Sequence, residues 1–144
     1  MLSVWIDNLL NNIKDSGDGK DGADVLEQCG RTCAKNSVMR NIKPFKERIG
    51  KNKEDKEILE MLNSVWGKIH IEDGNIFVIY DECYCPVLKE IELKNSFFCN
   101  CSRGWIKEVF ETVFERPAEV ELQKSIISGN DKCKFKINLG AGNE

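Results

Sequence analysis

The hydrophobic repeat of this chain changes at Gly67, and that change limits the fold more than any other feature. Up to Trp66 apolar residues recur at spacings of three and four, the repeat of an amphipathic helix. From Ile69 they alternate with polar residues, the repeat of a strand with one buried face. A chain that spends its first half on helices and then turns to hairpins is expected to be α+β, with an antiparallel sheet of about four strands.

Ser3 to Lys14 carries Val4, Trp5, Ile6, Leu9, Leu10 and Ile13, one apolar stripe with Ser3 as its N-cap. Asp15 to Gly22, DSGDGKDG, reads as a loop. Its aspartates are spaced by three, so it lacks the alternating oxygen ligands of a calcium loop. From Ala23 a helix places Val25, Leu26, Cys29 and Cys33 on one face. A further helix over Ser37 to Ile49 is interrupted by Pro44, and Asn52 with Asp55 signals the start of the next, whose stripe is Ile58, Leu59, Leu62, Val65 and Trp66.

Ile69 and Ile71 open the first hairpin, Asp73-Gly74 turns it, and Asn75 to Tyr80 returns. Ser102 caps a long helix striped by Trp105, Ile106, Val109, Phe110, Val113 and Phe114, which ends at Arg116-Pro117. The aromatic residues of that stripe, Trp105, Phe110 and Phe114, are most simply core, although part of it is free to line a pocket. Ala118, Val120 and Leu122 form the outgoing strand of a second hairpin, and Cys133, Phe135, Ile137 and Leu139 the inward row of its return. The whole is read as a single domain over 1–144, with N-terminal helices over 3–66 and a sheet and helix region over 68–139.

Charge narrows the class of partner. With 21 basic and 24 acidic residues interspersed, the net charge is −3, and no concentrated positive field for nucleic acid is expected. The N-terminus lacks the basic region of a secretory signal, and no apolar run is long enough to span a membrane, so the expected setting is cytoplasmic.

Seven cysteines are unusual for such a chain, because a reducing compartment discourages disulfides, and an odd number leaves one unpaired in any case. Six of them fall into pairs: Cys29 and Cys33 on one helix face, Cys83 with Cys85, and Cys99 with Cys101. Each pair offers two sulfurs to one centre, and two pairs satisfy tetrahedral zinc. Cys29, Cys33, Cys83, Cys85, Cys99 and Cys101 are therefore the candidate metal ligands, for zinc first and for an iron–sulfur cluster as the alternative. Cys133, on the inward row of the last strand, reads as core. Reactive thiols are the competing reading, with Arg31 and Arg103 placed to favour thiolates or to balance a metal–thiolate charge. His70 falls on the wet face of its strand and is not expected to catalyse or ligate.

The stretch VELQKSIISGNDKCKFKINL, Val120 to Leu139, resembles the closing hairpin of the 4-vinyl reductase-like small-molecule-binding domains and of the related L-2-amino-thiazoline-4-carboxylic acid hydrolase-like proteins. The matching positions are Gly129, Asp131, Cys133, Phe135 and Ile137, and the likeness covers the last third of the chain. The resemblance implies a ligand pocket between sheet and helices and a small-molecule partner, bound by a sensory module or hydrolysed by an enzyme. It carries over no catalytic residue. A cysteine-based redox protein stands beside these as an alternative, and a homodimer is left open.

Overall fold

The computed structural model describes residues 2–15, 20–50, 53–82 and 95–140. Cys83, Cys85, Asn52 and residues 16–19 of the DSGDGKDG stretch lie outside the described residues. The described elements are α1 (Leu2–Asp15), α2 (Lys20–Lys35), α3 (Met39–Ile49), α4 (Asp55–Trp66), β1 (Ile69–Glu72), β2 (Asn75–Tyr80), α5 (Cys99–Phe114), β3 (Ala118–Lys124) and β4 (Cys133–Leu139). The fold is α+β, as the change of period implies.

The four strands form one antiparallel sheet in the order β1-β2-β4-β3. Each outer pair is a hairpin, and the two hairpins join through β2 and β4, where Val78 faces Phe135 and Ile76 faces Ile137. Asp73 and Gly74 both have positive φ, 51° and 79°, the geometry that fits a two-residue turn to twisted strands. Gly129 takes φ 101° in the second hairpin, where Ser125 O accepts from both Ser128 N and Asn130 N. A register shift between Leu122 and Lys124 ends the regular pairing of β3.

α4 stops where Gly67 enters the left-handed region at φ 77° and donates its N–H to Asn63 O. The Asn63 side chain then accepts from Ile69 N at 2.9 Å, which ties the helix end to the first residue of β1. One core joins the inward rows of the sheet (Ile69, Val78, Val120, Phe135, Ile137) to Ile106, Val109 and Phe110 of α5, Leu59 and Leu62 of α4, and Ile42, Phe45 and Ile49 of α3. A second, smaller cluster of Leu10 and Leu26, with Ile6, Phe97 and Phe98, seats α1 on α2.

Local signals misplace several boundaries. α1 starts at Leu2, so Ser3 lies inside it and is not its cap; α2 starts at Lys20, inside the stretch read as loop. α5 starts at Cys99, three residues before the expected Ser102 cap, because a short 3-10 turn over Ser96–Phe98 leads into it and Asn95 caps that turn by accepting from Phe97 N. Pro44 does not interrupt α3. A helical proline removes one N–H donor, but Ile42 and Phe45 on either side are buried in the core and hold the helix through it. Among the described residues no helix is long and apolar enough to cross a membrane.

Candidate ligand cleft and the placement of the cysteines

α2 and α5 cross with almost no separation. A Cβ on Gly30 would stand 1.8 Å from the carbonyl oxygen of Cys101, and one on Gly104 would stand 2.0 Å from that of Glu27, so each glycine lets the other helix's backbone in. Leu26, Gly30 and Ala34 line the inner face of α2, and the opposite stripe, Val25, Cys29 and Cys33, faces solvent. The two cysteines do share a helix face, but it is the outer one.

The other described cysteines go elsewhere. Cys99 is buried at the start of α5 and shares a 3.2 Å hydrogen bond with Ser125 Oγ, and burial pushes its thiol pKa up despite that bond. Cys133 is buried on β4, as its place in the inward row implies, and accepts from Ile126 N at 3.4 Å. Cys101 is half-buried. Among the described residues no three Cys, His, Asp or Glu side chains are grouped to hold a metal ion. Four of the six candidate ligands, Cys29, Cys33, Cys99 and Cys101, are thus described without being gathered. His70 is exposed, on the face its alternation assigns it.

Arg31 and Arg103, read as partners for thiolates, are held by carboxylates instead. Glu27, 8% exposed, receives Lys107 at 2.7 Å and Arg103 at 3.5 Å. Arg31 reaches Glu111 at 2.8 Å, Glu108 at 3.2 Å and Glu27 at 3.6 Å. Burial alone would raise the Glu27 pKa, but the Lys107 hydrogen bond and the charges of Lys107, Arg103 and Arg31 outweigh it and hold the carboxyl below its ordinary value. The same balance raises Arg31: burial opposes its charge, and Glu111, Glu108 and Glu27 overcome it. Glu111 also accepts from Ala118 N at 2.9 Å, so the network runs from α2 through α5 to the first residue of β3. Nothing in the spacing of these residues signals the network, because its members meet only across the glycine crossing.

A cleft of about 410 Å³ opens between α3, α4 and α5. Its wall is Val38, Ile42, Pro44 and Phe45 from α3 and its approach, Val65 and Trp66 from α4, and Trp105 and Val109 from α5; Asn41 and Arg48 supply the polar atoms. Trp66 packs against Trp105 with ring centroids 5.8 Å apart and against Phe110 at 6.2 Å, a rigid aromatic floor. Asn41, Arg48 and Val65, all exposed, edge the opening. Such a volume falls within the roughly 300–1,000 Å³ of small-molecule sites, and an apolar wall with few polar groups is their usual chemistry. The described lining comes from three helices and the turn before α3, with no strand residue in it, whereas the hairpin resemblance implies a pocket between sheet and helices.

Comparison with known proteins adds the fold and the family. No curated protein matches the sequence. Among solved structures, trafficking protein particle complex subunit 3 from Naegleria fowleri, solved covalently bound to palmitic acid, matches with a TM-score of 0.62 at 21% identity, covering 99% of this chain and 95% of that one. At that identity the likeness is one of fold. A family match runs over residues 3–142, nearly the whole sequence, and the chain therefore belongs to the family of unknown function DUF6144.

Proposed function

We propose that this chain is a small-molecule-binding domain and that the cleft between α3, α4 and α5 is its site. The observation that carries this is the cleft itself: about 410 Å³, aromatic and aliphatic walls, and two polar side chains at its edge. Support comes from the resemblance of the closing hairpin to 4-vinyl reductase-like binding domains, and from palmitic acid in the trafficking-complex subunit of the same fold. A cytoplasmic setting, as read from the sequence, belongs to the same proposal.

The test uses the tryptophans. Trp66 and Trp105 line the cleft and Trp5 lies on α1 with 62% exposure, so Trp5→Phe leaves an emission signal from the cleft alone. A twelve-carbon amphiphile such as dodecan-1-ol is expected to change that emission saturably, and Asn41→Phe, which narrows the opening, is expected to abolish the change. A folded protein whose emission responds to no apolar probe would refute the assignment.

A metal on the cysteines is a separate proposal, supported by the outward presentation of Cys29 and Cys33 one helical turn apart. Elemental analysis of protein prepared anaerobically decides it: about one zinc or iron centre per chain is expected, and Cys29→Ser with Cys33→Ser should lower the content.

A further inference from the structure

We propose that the ligand of this cleft is a monocarboxylate with an apolar body, held noncovalently, with its carboxylate paired to Arg48. The inference rests on the cleft being a binding site. Its first support is the state of Arg48. The guanidinium sits at the cleft edge, 6.0 Å from the centroid of the Phe45 ring one turn earlier, and among the described residues no carboxylate is within ion-pair distance of it. The contrast with the other arginines near α5 is plain: Arg31, Arg103 and Arg116 are each paired to an acidic side chain.

A second support is the field around the opening. α3 carries Arg40, Lys43, Lys46 and Arg48 against a single acid, Glu47, in a chain whose net charge is −3. Only Lys46 of the four is neutralised by a described partner, Glu115 at 2.8 Å. A locally positive helix beside an apolar cleft draws in an anion and leaves its tail to the aromatic floor. The guanidinium's planar donors suit a carboxylate in two-point contact, and Asn41 lies on the same edge with an amide to share.

A third consideration sets the mode of binding. None of the described lining residues is a cysteine, and the described buried thiols, Cys99 and Cys133, make their hydrogen bonds outside the cleft, with Ser125 and Ile126. The acid therefore keeps its charge, which is the form Arg48 recognises.

The experiment compares dodecanoate with dodecan-1-ol, both below their solubility limits, on the Trp5→Phe protein and on its Arg48→Gln and Arg48→Lys derivatives. Dodecanoate is expected to bind on the order of fivefold to tenfold more tightly than the alcohol, a modest factor because Arg48 is exposed. Arg48→Gln should erase the preference by weakening dodecanoate far more than the alcohol, Arg48→Lys should restore part of it, and added salt should narrow it. The intact mass of the protein should not change, even when it is offered dodecanoyl-coenzyme A, the activated acyl donor that a covalent adduct would require, with coenzyme A as the leaving group. Equal binding of acid and alcohol, with no effect of Arg48→Gln, would overturn the carboxylate assignment and leave the cleft reading standing. Failure of both probes to bind would remove the cleft reading and this inference with it, and a covalent acyl adduct would overturn the noncovalent mode.

Discussion

At the scale of single residues, burial separates thiols that look alike in sequence. Cys29 and Cys33 are exposed on α2, and Cys99 and Cys133 are sealed between α5, the second hairpin and its turn. Thiol reactivity follows access and thiolate character, and burial works against both at Cys99. In the folded protein stripped of metal with a chelator, Cys29 and Cys33 are expected to react with a disulfide reagent within seconds to minutes, and Cys99 and Cys133 only after unfolding; peptide mapping of the labelled protein gives the order. Early labelling of Cys99 would mean that the start of α5 opens readily. For Cys133, truncation to alanine should cost on the order of 1 kcal/mol through lost packing, without altering metal content.

At the scale of elements, the crossing of α2 and α5 is the tightest constraint. Alanine usually improves a helix over glycine by about 1 kcal/mol, and here that gain is opposed by a Cβ driven into another backbone. Overpacking costs about 1–3 kcal/mol where side chains can give way, and a helix carbonyl 2.0 Å from the new carbon cannot move alone. Gly104→Ala should therefore lower stability by a net of about 2 kcal/mol or more, read from the denaturant midpoint, and Gly30→Ala by at least as much, given its 1.8 Å approach. An unchanged midpoint would mean that the helices sit further apart in solution. α1 contrasts with these two helices. Its expected single stripe splits: Leu10, Ile6 and Ile13 turn inward, while Trp5 and Val4 are left outside, because only one narrow row meets α2 and the 3-10 turn.

At the scale of the whole molecule, the charge network over that crossing links α2, α5 and β3, and gives the domain a defined response to acid. The Glu27 pKa is lowered in the folded state, so the unfolded chain binds its proton first as pH falls. The stability Glu27 contributes is complete above its ordinary value of 4.5 and is lost as pH falls through the lower folded-state value. Glu27→Gln should destabilise the domain at neutral pH, by leaving Lys107 and Arg103 without their shared carboxylate, and should flatten the loss of stability below about pH 4.5. Thermal unfolding across pH 3–7 measures both, and an unaltered acid limb would show that other carboxylates carry it. The cleft belongs to the same scale, since two of its walls, α3 and α4, are separated in the chain from the third, α5, by the first hairpin.

Periodicity and turn chemistry by themselves determined the fold class, the four strands, both hairpins, the stop at Gly67, the burial of Cys133 and the exposure of His70. Those features depend on spacings of two to four residues and on backbone preferences of a few amino acids, which are local. Partnership was not local. That Gly30 admits the carbonyl of Cys101, that Arg31 answers Glu108 and Glu111, and that Cys99 turns to Ser125 are facts about helices brought together from distant parts of the chain. The same holds for the cleft: Arg48, Trp66 and Trp105 each read as an ordinary member of its own helix, and only the packing of α3, α4 and α5 places a cation at the edge of an aromatic floor. Side-chain direction on one element can be read from its repeat, but what stands opposite depends on how elements dock, and the tertiary structure alone decided that.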